Sequence, residues 1–281
     1  MGKTAETNVV AAISELKTAI KDISNEDSLY DDDFYLLQWL KAGKFNLKKA
    51  EKKLRKAAKW RKENNLSGLV DEPYPENWLE AVPIHADAVS KTGVVVTTIQ
   101  FSAVDIPGLF KQWGREQITK LTVQGFAQME NVMLELNKRK FGGQPLTEDS
   151  LEGAVMLIDA DKLSAKDLSS LEVIQTFTDI CKKLKKYFPT LASKIIVVNC
   201  TSVIDALLKI ARTILEKASL KFEIFGKDDK SNWHEAVTAQ IPAKLLPEAF
   251  GGTKPKEEPI KRDRFVDKAL ILSLVNDFSS N

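Results

Sequence analysis

The stretch of sequence that decides the fold is residues 194–252, KIIVVNCTSVIDALLKIARTILEKASLKFEIFGKDDKSNWHEAVTAQIPAKLLPEAFGG. It opens with an apolar run at 194–199 that is typical of a buried strand, and a segment with helical periodicity follows at 203–217. A second short apolar run, at 221–225, predicts another strand. Strand, helix and strand in this order indicate an α/β fold.

The helical segment at 203–217 has an unusually wide apolar face. Its apolar side chains cover an arc of roughly 200°, whereas a surface helix needs an apolar stripe of only about 100°. The arc comprises Val203, Ile204, Ala206, Leu207, Leu208, Ile210, Ala211, Ile214 and Leu215. One packing partner cannot cover this surface, so we expect further protein, a membrane or a bound lipid to cover the rest.

Composition and charge exclude several classes of protein. The chain has 281 residues, of which 43% are hydrophobic, and can bury one large core or two smaller ones. Lys and Arg number 41 against 39 Asp and Glu, and the net charge of +2 gives no general attraction to nucleic acid. Cys181 and Cys200 fit no metal-binding spacing and are expected to be reduced, as in the cytoplasm. We therefore expect no cofactor, no metal and no nucleic-acid partner.

The order of patterns predicts two parts and a tail. Residues 1–72 have helical periodicity and are expected to form a helical N-terminal subdomain, whereas residues 73–253 alternate short apolar runs with helical segments. The strands are expected at 94–99, 155–158, 194–199 and 221–225, and helices at 47–63, 115–138, 168–186 and 203–217. This alternation predicts the α/β class, with a mixed, mostly parallel sheet flanked by helices. In the tail, 254–281, one apolar run at 269–275 is expected to dock as a helix or strand.

Motifs that indicate an enzyme are missing from the sequence. It contains no GxSxG nucleophile elbow, no Walker A loop, no GxGxxG after a strand and no HExxH. Asp159 and Asp161 follow a predicted strand, where α/β proteins often bind ligands, and could serve a metal or acid–base chemistry. Because no histidine lies near them in the sequence, a turn that ends the strand is the better interpretation.

A series of short motifs resembles the CRAL-TRIO family of lipid-binding and lipid-transfer proteins. In the N-terminal part, LLQWLKAGKFN at 36–46 is similar to the family's LLRFLRARKFD segment, with Lys41 and Gly43 in place of arginines. KWR at 59–61, LID at 157–159, YFP at 187–189, VVN at 197–199 and LPEAFGG at 246–252 follow in the family's order. Each motif is weak alone, but together they surround the wide apolar helix, and the resemblance covers most of the chain.

The resemblance implies a lipid carrier with an apolar cavity above the sheet and a movable gate helix at 203–217. The gate residues would be Val203, Ile204, Leu207, Leu208, Ile210, Ala211, Ile214 and Leu215. We expect Phe126, Met129, Met133, Met156, Ile158, Phe177, Ile196 and Val198 to line the cavity. The partners would be one bound lipid, of phospholipid or isoprenoid type, and a membrane that a cytoplasmic protein contacts transiently. Two alternatives stay open: a sensor whose lipid occupancy regulates a protein partner, and an α/β enzyme, which the missing motifs disfavour.

The same resemblance implies where a lipid headgroup and a membrane would bind. Lys221 retains a basic residue at a headgroup position, Thr190 replaces the glutamate of phosphatidylinositol binders, and Ser164 stands where a serine contacts the headgroup. An exposed lysine at a strand start and a helix N-cap are the alternative interpretations of Lys221 and Ser164. We expect phosphatidylcholine or a neutral lipid to be preferred over phosphatidylinositol.

A run of lysines is the first candidate for contact with an anionic membrane. It comprises Lys182, Lys183, Lys185 and Lys186, near the end of a predicted helix. The basic face of the predicted helix at 47–63 is the second candidate. A solvated helix surface is the alternative interpretation of both.

Overall fold

The computed structural model describes residues 8–168, 170–215, 220–255 and 264–279. A five-stranded sheet lies at its centre, with the strands in the order β1-β2-β3-β4-β5. The strands are β1 Ile84–Val89, β2 Val95–Gln100, β3 Ala154–Asp159, β4 Ala192–Cys200 and β5 Lys221–Gly226. β1 pairs with β2 in antiparallel fashion and all other neighbours are parallel, so the predicted class, α/β with a mostly parallel sheet, is confirmed.

Helices precede, connect and follow the strands. They are α1 Val9–Ala19, α2 Lys21–Ser24, α3 Asp33–Ala42, α4 Leu47–Glu63, α5 Leu66–Asp71, α6 Trp78–Ala81, α7 Ile106–Phe141, α8 Ala165–Leu168, α9 Leu171–Tyr187, α10 Ser202–Leu215, α11 Lys230–Gln240 and α12 Lys268–Ser279. The helix predicted at 47–63 coincides with α4, whereas the last two residues predicted for the helix at 203–217 lie outside the described residues. Among the helices in the described ranges, none combines the length and apolar character needed to cross a membrane.

Polar side chains fix the ends of the N-terminal helices. Oδ1 of Asp32 accepts hydrogen bonds from the backbone N–H groups of Phe34 and Tyr35, at 2.9 and 3.1 Å, and so begins α3. α3 ends at Gly43, where a Cβ would lie only 2.8 Å from the backbone nitrogen of Ala50 in α4. A larger residue at position 43 would therefore require α3 and α4 to move apart in this structure.

The two faces of the sheet belong to two separate hydrophobic clusters. Leu157, Ile196 and Val198 pack with Trp233 and Val237 of α11. On the other face, the core is continuous with residues of α7, α9 and α10 and includes the N-terminal helices α1, α3 and α4. The sheet therefore separates a small cluster under α11 from a large one that contains the candidate gate helix.

α7 is longer than the sequence predicts. It begins at Ile106 rather than at 115 because Oδ1 of Asp105 caps it, accepting from the backbone N–H of Gly108 at 3.0 Å, and Pro107 suits the first turn. Gly114, with φ of 65° and ψ of 168°, bends the chain inside this helix. Pro107 is thus part of the helix start, and Gly114 is the site of a kink.

The C-terminal segment docks on the open edge of the sheet. Val266 forms a parallel bridge with Ala86 of β1, and α12 packs against β1 with Ile271 fully buried. The backbone N–H of Phe265 donates to Oε1 of Gln128 in α7, at 3.1 Å. The apolar run at 269–275 is therefore helical, and it covers the strand that the sequence did not predict.

Candidate lipid-binding site

The candidate gate helix, α10, is covered on one side. Ile204, Leu208, Ala211 and Leu215 are buried, with exposed fractions of 5, 8, 3 and 3%. Leu207, Ile210 and Ile214 form a half-buried row on one flank, and Ala206, Lys209 and Thr213 are exposed on the outer surface. The side chain of the remaining gate candidate, Val203, lies outside the described part of the chain. α10 packs beside α9, and its partly covered flank is where further apolar contact is possible.

Most of the predicted cavity residues lie in the same hydrophobic cluster as α10. Met129 and Met133 of α7 are buried in it, while Phe126, Met156, Ile158 and Phe177 are half-buried against it. Half-buried apolar side chains also come from β5, at Phe222 and Ile224. The structure therefore brings six of the eight predicted residues to one side of the sheet, together with two that the sequence analysis did not include.

Ile196 and Val198 do not lie with the other cavity candidates. Both belong to the cluster on the opposite face, under α11. Because successive side chains of a strand point to opposite faces, Ile195 and Val197 take their place in the cluster that contains α10. All four residues are apolar and buried, so the sequence could not distinguish the two faces.

The candidate headgroup residues lie near opposite ends of the parallel strands. Thr190 precedes β4, and Lys221 is exposed at the start of β5, in register with Lys194. A small cavity of about 20 Å³ brings Thr190 close to Leu215, the last residue of α10. Ser164 follows β3 and therefore lies near the carboxyl ends of the parallel strands, whereas Thr190 and Lys221 lie near their amino ends. Thr190 and Lys221 therefore lie at the same end of two neighbouring strands, and Ser164 does not share that end.

The four candidate membrane-contact lysines point in different directions. Lys182 is exposed, Lys183 lines a large cavity, and the ammonium of Lys186 lies 4.8 Å from the ring centroid of Tyr187. Lys185 lies near Lys53 of α4 instead. Burial lowers the pKa of Lys53, and the charges of Lys185, Lys44 and Lys49 lower it further. We call Lys44, Lys49, Lys53 and Lys185 the lysine cluster; it combines parts of both sequence-predicted basic surfaces.

A large cavity that the sequence analysis missed lies between the N-terminal helices and α7 and α9. Its volume is about 580 Å³, and it is lined by Trp60, Asn64, Leu69, Arg115, Glu116, Thr119, Lys120, Val123, Asp179 and Lys183. Arg115 donates to Oε1 of Gln175 at 2.7 Å and pairs with Asp179. Trp60, part of the KWR motif, stacks on Tyr187 with ring centroids 3.8 Å apart. Most residues that line this cavity are polar or charged, so it differs from the predicted apolar cavity.

A buried ion pair connects the N-terminal helices to α7. Nη1 of Arg61 lies 2.9 Å from Oε2 of Glu130, and the two side chains are 9% and 2% exposed. The guanidinium also lies 5.7 Å from the ring centroids of both Tyr35 and Phe188. Burial raises the pKa of Glu130, and the charge of Arg61 opposes that shift. The arginine of the KWR motif was the only sequence signal for this contact.

The carboxylates after β3 end the strand. Oδ1 of Asp159 accepts a hydrogen bond from the backbone N–H of Asp161, at 3.0 Å, and another from the side-chain amide of Asn199, at 2.8 Å. Asp161 pairs with Lys227 at 3.4 Å. Asp159 and Asn199 thus tie the ends of β3 and β4 together, and the turn is the interpretation that these contacts support.

The fold is α/β with a mostly parallel sheet, and comparison with known proteins gives the family. The model of the CRAL/TRIO domain matches residues 101–252, a little over half of the chain. This chain therefore belongs to the CRAL/TRIO domain family. Lipid binding and transfer, including that of phosphatidylinositol and phosphatidylcholine, is the general function of its Sec14-like members.

Individual relatives are distant. The chain is 24% identical over 252 residues to the SEC14 cytosolic factor of Eremothecium gossypii, covering 88% of this chain and 77% of that protein. It is 25% identical over 240 residues to Protein real-time of Aedes aegypti, covering 82% of this chain but only 35% of that protein. The crystal structure of Sfh5 matches with a TM-score of 0.63 and 14% identity over 100% of both chains, which supports the fold. The chain thus spans about a third of the length of its real-time relative.

Proposed function

We propose that this protein binds one lipid between α10 and the sheet and exchanges it at membranes when α10 moves aside. The observation that carries the proposal is the uneven cover of α10, whose row of Leu207, Ile210 and Ile214 is only half-buried next to a fully buried row. A lipid chain would complete that cover. The lining would include Met156, Ile158 and Phe177, together with Ile195 and Val197.

The energetics of opening support exchange at a bilayer. Moving Ile204, Leu208 and Leu215 from their buried positions into water would cost roughly 1.5 to 3 kcal/mol for each side chain. In contact with a bilayer these side chains enter hydrocarbon instead, and most of that cost disappears. α10 would therefore stay closed in water and open at a membrane. We infer a cytoplasmic binding protein rather than an enzyme, with transient membrane contact.

The test places a charge on the half-buried row of α10. Leu207→Asp and Ile214→Asp should each slow the transfer of a fluorescent phosphatidylcholine between vesicles at least tenfold, because burial of an unpaired carboxylate is strongly unfavourable. Ala206→Asp is the matched control, since Ala206 lies on the exposed surface of the same helix. Circular dichroism verifies that all three variants are folded. Transfer at the wild-type rate by both charged variants would remove the gate from the proposal.

A direct search for the ligand complements the transfer assay. Native mass spectrometry of the purified protein should show an added mass equal to one lipid, and extraction of that lipid identifies its class. Protein that carries no lipid after purification, and takes none from vesicles of mixed phospholipids, would contradict the proposed function as a whole.

A further inference from the structure

One side chain of α10 does not fit an apolar gate. Arg212 lies on the flank opposite the row of Leu207, Ile210 and Ile214, and it is half-buried. Its guanidinium carbon is 5.7 Å from the ring centroid of Phe222 on β5. Phe222 packs on the face of the sheet that α10 covers. The sequence assigns Arg212 to the polar side of the helix, whereas the structure directs it toward the sheet.

The position of Arg212 is also visible in its effect on Cys200, at the end of β4. Burial raises the pKa of the Cys200 thiol, the charge of Asp205 raises it further, and the charge of Arg212 opposes both. The guanidinium is thus near the aromatic ring of Phe222 and within electrostatic range of Cys200. These neighbours place it in the space between α10, β4 and β5.

Among the residues that the structure describes, Arg212 has no carboxylate partner of the kind that other arginines of this chain have. Arg55, Arg61 and Arg115 each pair with a carboxylate. Nε of Arg212 is buried without a hydrogen-bond partner, and across the described ranges no ion pair joins Arg212 to a carboxylate. The hydroxyl of Thr201, just before α10, is also buried without a hydrogen-bond partner. A buried donor without an acceptor is unfavourable, so the guanidinium of Arg212 has an unmet hydrogen bond at Nε.

We propose that Arg212 binds the anionic oxygen group of the carried lipid, either a phosphodiester or a carboxylate. The inference rests on the proposed function and specifies its substrate class: lipids with such a group, rather than pure hydrocarbons. A planar guanidinium matches both groups because it can donate two parallel hydrogen bonds to their oxygens. The ring of Phe222 supports the guanidinium from one face without using its donors.

The location of Arg212 on the moving element has a mechanistic consequence. An acceptor on the lipid would connect the cargo directly to α10, so a bound lipid would hold the helix closed. When α10 moves aside, the contact breaks and the lipid loses its main polar attachment. Lys221 differs in this respect, because it is exposed at the start of a strand and does not move with the gate.

The experiment compares three probes with the same pyrene-labelled hydrocarbon: phosphatidylcholine, a fatty acid and an alkane. Dissociation constants are measured by fluorescence for the wild type, Arg212→Leu, Arg212→Lys and Lys209→Leu. Lys209 is the matched control, since it lies on the exposed surface of α10, with 73% of its side chain accessible and its partner Asp205 on the same helix. Thermal unfolding verifies that each variant is folded.

We expect Arg212→Leu to weaken binding of the phosphatidylcholine probe, the fatty-acid probe or both at least tenfold, about 1.4 kcal/mol. Binding of the alkane probe should not change. Arg212→Lys should restore part of the affinity, and Lys209→Leu should behave as wild type. If Arg212→Leu loses affinity only for phosphatidylcholine, the phosphodiester is the partner of Arg212. If it loses affinity only for the fatty acid, the carboxylate is the partner. Equal losses for all three probes, or no loss for any, would overturn the inference while leaving the carrier function intact. Failure of the wild type to bind any probe would overturn both.

Discussion

Replacing Arg61 with methionine is expected to reduce the free energy of unfolding by about 3 to 5 kcal/mol, the usual cost of removing one partner from a buried ion pair. Methionine retains the apolar length of the arginine stem, so the packing near Tyr35 and Phe188 changes little. The main effect is that Glu130, with a side chain only 2% exposed, loses its counter-charge.

The geometry of the pair sets the magnitude. At 2.9 Å and an effective dielectric constant of about 20, two unit charges attract by roughly 6 kcal/mol. Removing Arg61 also removes the cost of taking its own charge out of water, which offsets part of the lost attraction and leaves a net loss in the stated range. Replacing both partners, in Arg61→Met/Glu130→Leu, should recover most of the loss, because no charge then stays buried alone.

The loss should also depend on pH in a defined direction. Burial raises the pKa of Glu130, and without Arg61 nothing in the pair opposes that rise. A carboxyl group with a raised pKa in the folded state contributes its full stability below its unfolded pKa of about 4.3, and that stability is lost as the pH rises through the folded pKa. The deficit of Arg61→Met relative to wild type should therefore be small near pH 4.3 and grow toward neutral pH.

Urea unfolding followed by tryptophan fluorescence measures these differences at several pH values. A deficit below about 1 kcal/mol at neutral pH would show that the pair is no stronger than a surface ion pair. A double variant as unstable as Arg61→Met would also contradict the argument, because burial of an uncompensated charge could not then be the cause. A deficit that is constant with pH would exclude Glu130 as the titrating group.

Two further predictions concern the headgroup and the membrane. Thr190→Glu should increase the share of phosphatidylinositol in protein loaded from mixed vesicles, because a glutamate can accept hydrogen bonds from the inositol hydroxyls; a share equal to that of wild type would exclude this role. Lys53→Ala and Lys185→Ala should each weaken binding to vesicles with anionic lipid by about 1 kcal/mol, less at high salt. Lys21→Ala is the matched control, because Lys21 is exposed on α2, away from these lysines in the sequence. Equal losses of vesicle binding in all three alanine variants would contradict a localised lysine cluster.

Local patterns in the sequence predict the fold well where they are strong. α4 has its predicted bounds because Asn46 caps its first turn, with Oδ1 accepting from the backbone N–H of Lys49 at 3.0 Å. The central parallel strands are short apolar runs, and burial on both faces makes them easy to recognise. β1 escapes prediction because its sequence, IHADAV, mixes polar and apolar residues, and its pairing with β2 and with Val266 depends on distant segments.

The candidate site was predictable in outline and not in its polar detail. The width of the apolar face at 203–217 is a property of sequence alone, and it identifies α10. The faces of β4 could not be assigned because Ile195 to Val198 are all apolar, so alternation has no polar member to mark the outside. The Arg61–Glu130 pair joins residues far apart in the chain, and the inward direction of Arg212 depends on the ring of Phe222 across the helix–sheet interface.

The large hydrophobic cluster that contains α10 has a consequence for how this fold can be divided. The family model spans residues 101–252, yet the cluster that contains α10 extends to Leu16 at one end of the chain and to Ile271 at the other, both fully buried. Trp60, outside the matched segment, covers the ring of Tyr187 within it. The segment that the family model matches is thus smaller than the continuous hydrophobic cluster around it. Transplanting the candidate lipid site to another protein would therefore require the flanking helices as well.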